Sequence, residues 1–409
     1  MPVIIDFDDP AHAADPYALY RKMREEAPVY LDTQDRTWYL TRYRDVYAAL
    51  HDPRLSADRT DAQMRQLPAE ARGQFRAYEL ARRAMLLFVD PPAHVRLRRL
   101  VAKAFTPSAV AALRPRIQSI VDTVLDDVAT QDGFDVIRDL AFPVPLMVIA
   151  EMLGVPLADR MRIKVWSSDF TRALFGSFTP DVAARAEQAV IGLADELRPT
   201  VARLRDHPDG SVLGRLVLAE EPGDRLSEAE LYATCMLLLI AGHETTVNLI
   251  GNGLLLLLQQ HSAAERRGDA ATIEPTIEEI LRYEPSVPFT VRVAAEDFQI
   301  DGQQIQRGEP VCLYLAAANR DPAIFTDPER FDTARNPNPH LAFGQGMHIC
   351  LGAALARAEG QIAIKTILQR FPQLRLSSGA PDWLPAGAGR ALRSLPVALT
   401  APEPSQFIR

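Results

Sequence analysis

From Leu226 onward the chain commits to one unusually long helix. Ser227 and Glu230 have the spacing of a capping box, and Leu226 can staple onto Leu231. The helical pattern then continues to about Gln260. Within it, Leu249 to Leu258 is apolar but too short to span a bilayer alone, with Asn248 beside it and Asn252 inside it. A helix that is apolar all round belongs in the interior of a large protein. Polar groups in its middle must then be paired or must work, so the helix is expected to cross the core beside a cofactor.

The rest of the pattern predicts a mainly helical chain with a minor sheet portion. Helices are expected over Pro16 to Glu26, Tyr43 to Leu50, Pro92 to Phe105, Pro275 to Tyr283 and Leu351 to Arg370. Thr106 and Pro107 open a further helix, with proline at the first helical position. Strands are expected at Val29 to Leu31, Trp38 to Thr41 and Val311 to Leu315, with a hairpin turning at Asp301-Gly302 between Phe298 to Ile300 and Gln303 to Ile305. The sheet-forming portions fall at about 29–41, 298–315 and 385–400, and residues 52–90 read as irregular or weakly helical. No linker or repeat divides the 409 residues, so a single unit over 1–409 is expected.

Net charge is −8 with acids and bases well mixed, which argues against a nucleic-acid partner. The three cysteines, Cys235, Cys312 and Cys350, are widely spaced and odd in number, which does not suit a disulfide scaffold and fits a reducing, cytoplasmic compartment. Met1 to Asp9 has no basic start and gains three acids at once, so it reads as neither a signal peptide nor a membrane anchor.

Cys350 closes the run Phe343-Gly344-Gln345-Gly346-Met347-His348-Ile349-Cys350-Leu351-Gly352, just before a helix. Two glycines make a tight loop. Amides at the helix start would point at the sulfur and favour the thiolate. One sulfur presented in this way suits a single axial bond to an iron. An inert core thiol, the commoner fate of a free cysteine, needs neither flanking glycine.

A second cluster is Ala241-Gly242-His243-Glu244-Thr245-Thr246, an acid–alcohol pair in the middle of the long helix. Gly242 costs that helix about 1 kcal/mol relative to alanine, which makes sense if something bulky lies flat against it. A mid-helix threonine that bonds its own backbone carbonyl is the alternative for Thr245 and Thr246. His94 and Arg98, four apart, share a helix face.

These runs resemble the signatures of the cytochromes P450, and the matches follow the family's order from about residue 15 to residue 398. The resemblance implies the soluble bacterial type, with the P450 fold: a long central helix and the helix after the cysteine loop enclosing haem b. It implies that Cys350 is the thiolate ligand, set in the loop of Phe343, Gly344, Gly346 and Gly352. It implies that His94, Arg98, Arg292 and His348 hold the haem propionates and that Ala241 and Gly242 border the haem. Thr245 would hydrogen-bond dioxygen, Glu244 would relay protons, and His243 would be structural. Glu279 and Arg282 match the family's Glu-x-x-Arg, and a buried ion network with Arg330 is implied.

The activity implied is that of a haem-thiolate monooxygenase, hydroxylating or epoxidising a hydrophobic molecule such as a terpenoid, steroid, macrolide or fatty acid. Its substrate contacts are expected among Met85, Leu86, Leu87, Phe88, Leu238, Val287, Phe289, Ala388 and Leu392, with Ala241. That set is apolar and offers no charged anchor. A lid over Phe170 to Phe178 is a further expectation. The chain has neither a nucleotide-binding glycine motif nor a four-cysteine iron–sulfur pattern. Electrons would therefore come from a ferredoxin or flavodoxin with its NAD(P)H-dependent reductase, docking near Arg99, Lys103 and Arg357 on a monomer. A peroxide-driven peroxygenase is the rival enzyme, and Glu244 with Thr245 argues against it. A non-catalytic haem sensor or carrier is the rival of another class.

Overall fold

The computed structural model describes residues 12, 15–33, 36–103, 105–154, 160–175, 178–221, 224–260, 262, 265, 272–377, 379–384 and 389–399. The start of the chain, Ala388 and most of the 261–271 loop lie outside them.

The long helix is Glu228–Gln260, and its capping box forms: Ser227 N donates to Glu230 at 2.8 Å, and Glu230 N donates to Ser227 Oγ at 3.3 Å. By length and composition it could cross a membrane, yet 67% of its apolar stretch is buried inside the protein. Helices Pro143–Leu153, Arg76–Ala84 and Ala353–Arg370 pack around it. At Gly253 the helices approach so closely that a Cβ would lie 2.8 Å from Ile364 Cδ1 and 3.0 Å from Ile280 Cδ1. The apolar core is continuous across this bundle.

A five-stranded sheet lies to one side. Its order from edge to edge is Val29–Asp32, Thr37–Leu40, Pro310–Leu313, Thr290–Ala294 and Leu55–Ser56. Thr37–Leu40 pairs parallel with Pro310–Leu313, placing Trp38 opposite Val311, and the other pairings are antiparallel. The hairpin of Phe298–Ile300 with Gln303–Ile305 forms as expected, with Asp301 and Gly302 at positive φ in the turn.

Two expectations need correction. Residues 52–90 hold real elements: the edge strand Leu55–Ser56, the helix Thr60–Met64 and the helix Arg76–Ala84. The first two are too short to leave a period, whereas Arg76–Ala84 buries Tyr78 and Arg82, four apart on one face. Thr290–Ala294 is a strand lying ahead of the expected 298–315 portion. Its centre, Arg292, is buried despite its charge.

Candidate functional site

The cysteine loop is held by backbone bonds. Cys350 N donates to Phe343 O at 2.9 Å, and Gly344 N donates to Leu341 O at 2.8 Å. Gly344 and Gly346 have φ of +66° and +72°, a region that favours glycine. A Cβ on Gly346 would also lie 2.5 Å from Leu50 O. Gly352 caps the helix Ala353–Arg370, and its N–H acts on the sulfur. Helix-start amides do not by themselves set the charge, however. Burial dominates and pushes the Cys350 thiol up, with Gly352, Arg98 and Arg357 acting against it. Coordination to a metal deprotonates such a thiol outright.

The sulfur opens into a cavity of about 330 Å³ between the loop and the long helix. Ala241, Gly242, Glu244 and Thr245 line the same cavity, with Phe343, Gly344 and Gly352 on the cysteine side. Thr245 Oγ donates to Ala241 O at 2.7 Å and Thr246 Oγ to Gly242 O at 3.2 Å. Both hydroxyls thus back-bond to their own helix, which leaves the lone pairs of Thr245 to accept from the cavity. Burial pushes the Glu244 carboxyl up, and the Thr171 side chain acts in the opposite sense. A Cβ on Gly242 would meet Ile149 Cδ1 at 3.5 Å, an ordinary contact, so protein packing alone does not demand glycine there. His243 is not on the cavity wall. It packs edge-on against Phe142 at 4.7 Å, and burial pushes its pKa down to about 4.

Four further groups converge along the cavity. The His94 and His348 rings lie 4.1 Å apart, and Arg98 and Arg292 line the wall beside them. Among the described residues neither nitrogen of His94 has a partner, nor does His348 Nε2. Burial, then Arg98, pushes the His94 pKa down. Burial first, then the neighbouring His94 and the arginines Arg292, Arg98 and Arg59, bring His348 down to about 3. Both rings are therefore neutral N–H donors near pH 7. Arg292 donates to Thr290 Oγ1 and Val291 O, each at 3.0 Å, but has no carboxylate partner among the described residues. Orphaned buried donors cost free energy unless a ligand completes them. Two arginines and two neutral histidines beside an open cysteine fit the two propionates and the iron of a haem.

The expected substrate contacts divide. Leu86, Leu87, Leu238, Val287 and Phe289 line the cavity. Met85 and Phe88 do not. Both are fully buried, because the 3-10 turn Leu86–Phe88 swings them into the core, where Arg82 covers the Phe88 ring at 3.7 Å. Leu392 sits in the strand Leu392–Ser394 and packs toward Gly251 of the long helix. Ala388 lies outside the described residues. Phe170 and Phe178 pack on Tyr78 at 5.5 and 5.2 Å, as core rather than lid. The side chain of Phe175 lies outside the described residues.

The ion network also differs from expectation. Glu279 accepts from Arg282 Nε and Nη2, each at 2.8 Å, and its second guanidinium partner is Arg335 at 3.2 Å. Arg330 contributes only its carbonyl, 3.0 Å from Arg282 Nη2. Of the cations expected at a docking face, Arg99 and Lys103 are exposed. Arg357 is bound by Glu278 at 2.7 and 2.8 Å. Burial alone would raise the Glu278 carboxyl, but Arg357 and His340 outweigh it and bring it down to about 2.

Among the described residues the sequence reading missed one cationic residue of the cavity wall, Arg59. It belongs to the stretch without periodicity, and only the pairing of Leu55–Ser56 with Thr290–Ala294 carries it to the wall.

A family model for cytochrome P450 matches residues 271–385. Cytochrome P450 107B1 of Saccharopolyspora erythraea is 43% identical over 407 residues, covering 97% of this chain and 98% of the relative. The vitamin D(3) 25-hydroxylase of Pseudonocardia autotrophica is 41% identical over 376 residues, covering 90% and 89%. The crystal structure of P450BioI in complex with an acyl carrier protein ligated to hexadec-9Z-enoic acid superposes with a TM-score of 0.88 at 37% identity, covering 95% of this chain and 99% of that one.

Proposed function

The chain belongs to the cytochrome P450 family, and from that premise we propose that it inserts one atom of dioxygen into a hydrophobic small molecule by hydroxylation or epoxidation. Membership makes it a P450 monooxygenase and implies haem with a cysteine thiolate. The names of the relatives bring two apolar classes into range, vitamin D(3) and a fatty acyl chain.

The carrying observation is that Cys350 and Thr245, from opposite walls, open into one apolar cavity flanked by unpartnered histidine nitrogens. Haem, when bound, supplies a redox-active iron that activates dioxygen. Cys350 would hold it from the loop side. His94, Arg98, Arg292 and His348 would bind its two carboxylates, the arginines through their planar forks. Thr245 Oγ, its proton engaged by Ala241 O, would accept a hydrogen bond from a group in the cavity. Glu244, held toward its protonated form by burial, is a proton donor on the same wall. Leu86, Leu87, Leu238, Val287 and Phe289 exclude water and orient the substrate. Electrons would come from a separate ferredoxin or flavodoxin with its NAD(P)H-dependent reductase.

The test has two parts. The reduced, haem-loaded protein under carbon monoxide should give the red-shifted Soret band of thiolate ligation, and Cys350→Ala should lose it together with turnover. Product should form with dioxygen, reductant and a partner pair. Equal product from peroxide alone, or native turnover in the variant, would overturn the reading.

A further inference from the structure

Among the described residues Arg59 has no counter-ion. Its guanidinium donates to Val291 O at 2.6 Å and lies 5.0 Å from the centre of the Phe88 ring. Arg82 covers the same ring at 3.7 Å. Arg82 is 1% exposed, and among the described residues its Nε has no partner and its Nη1 reaches only the Tyr78 hydroxyl, at 3.5 Å. Neither arginine makes a salt bridge among the described residues. Burial, then Arg82 and Arg292, push the Arg59 pKa down to about 9, so it stays cationic at neutral pH.

The cavity wall does not supply the missing anion. Its acids are Glu244 and Glu359, and burial pushes both carboxyls up toward the neutral form. Arg98 and Arg292 with the two histidines would suffice for the two propionates of a haem, and Arg59, within charge range of Arg292 and His348, is a further cation beyond them. Arg59 shares the cavity lining with the apolar Leu86, Leu87 and Leu238. A partly buried guanidinium without an anion is costly, and its planar fork matches a carboxylate in two parallel hydrogen bonds.

We propose that Arg59, backed by Arg82, anchors the carboxylate of an otherwise apolar substrate, so that the site selects long-chain carboxylic acids over neutral molecules of the same shape. This deepens the monooxygenase reading and rests on it.

The experiment uses the haem-loaded full chain. It is titrated with the straight-chain acids from decanoic to hexadecanoic and with their methyl esters, following the low- to high-spin shift. The acids should bind about ten- to hundredfold tighter than the esters, the range expected of a charge-assisted hydrogen bond. Arg59→Gln should erase that preference while ester affinity and haem content hold. Arg59→Lys should keep part of it. Acid and ester binding alike in the native protein would overturn the proposal, as would the absence of a shift with any acid. So would an Arg59→Gln protein that loses haem but keeps the acid preference, which would make Arg59 a propionate contact instead. A native thiolate spectrum with carbon monoxide, in any of these cases, leaves the monooxygenase reading standing.

Discussion

Arg335, not Arg330, supplies the second guanidinium to Glu279, at 3.2 Å, in a site where the Glu279 side chain is fully buried. The same carboxylate also accepts from Asp332 N at 2.8 Å and Asn338 Nδ2 at 3.2 Å, so it ties the helix Ile273–Tyr283 to the loop beyond it. Glu279→Ala would leave Arg282 buried without its partner and should cost about 3–5 kcal/mol. Arg335→Ala should be similarly damaging. Arg330→Ala keeps the carbonyl that matters and should change stability by less than about 0.5 kcal/mol. Urea unfolding of the three variants checks the order, and an Arg330 effect as large as that of Arg335 would sink it.

Thr245→Ala removes the hydroxyl that back-bonds to Ala241 while leaving the cavity apolar. Substrate should still give its spin shift with little change in affinity. Product formed per NAD(P)H consumed should fall about tenfold or more, with hydrogen peroxide taking up the difference. Thr245→Ser should restore most of the coupling. Unchanged coupling in the alanine variant would remove this hydroxyl from proton delivery.

Arg98 lines the cavity without a salt bridge among the described residues, and its charge also acts on Cys350. Arg98→Ala should speed haem loss by about ten- to hundredfold, the cost of one charge-assisted hydrogen bond. Transfer of haem to an excess of apomyoglobin measures it. An unchanged transfer rate would dismiss Arg98 as a propionate contact.

His243 is buried as the neutral ring, with a pKa pushed down to about 4 by burial first and Lys164 second. The unfolded chain binds a proton near its ordinary value of about 6.5. Below that value unfolding takes up a proton that the folded state refuses. Stability is therefore complete above about pH 6.5 and declines as pH falls toward about 4, by up to about 3 kcal/mol. His243→Gln should flatten this part of the pH–stability curve, whatever its effect at neutral pH. Denaturant titrations across the window decide the matter, and parallel curves for the two proteins would refute the assignment.

The sequence made legible what depends on local spacing. The cysteine loop, the capping box of the long helix and the Asp301-Gly302 hairpin are each dictated by residues within a few positions of one another. The hidden features depend on the path of the chain. Arg330 and Arg335 lie in one loop, and only its course decides which turns toward Glu279. Leu86 to Phe88 read as uniformly apolar, and a 3-10 turn sorts them between cavity and core. Arg59 reaches the wall through a two-residue strand too short to leave a pattern. A reading from apolar positions alone therefore described a pocket without a charge.

The parallel pairing of Thr37–Leu40 with Pro310–Leu313 joins segments roughly 270 residues apart, a separation that makes contact formation slow. During synthesis the early strands must wait until most of the polypeptide has left the ribosome before their middle partner exists. Until then they present open edges to any neighbouring chain. Yield in a foreign host should accordingly be governed by chaperone supply and the pace of translation, more than by the stability of the finished molecule.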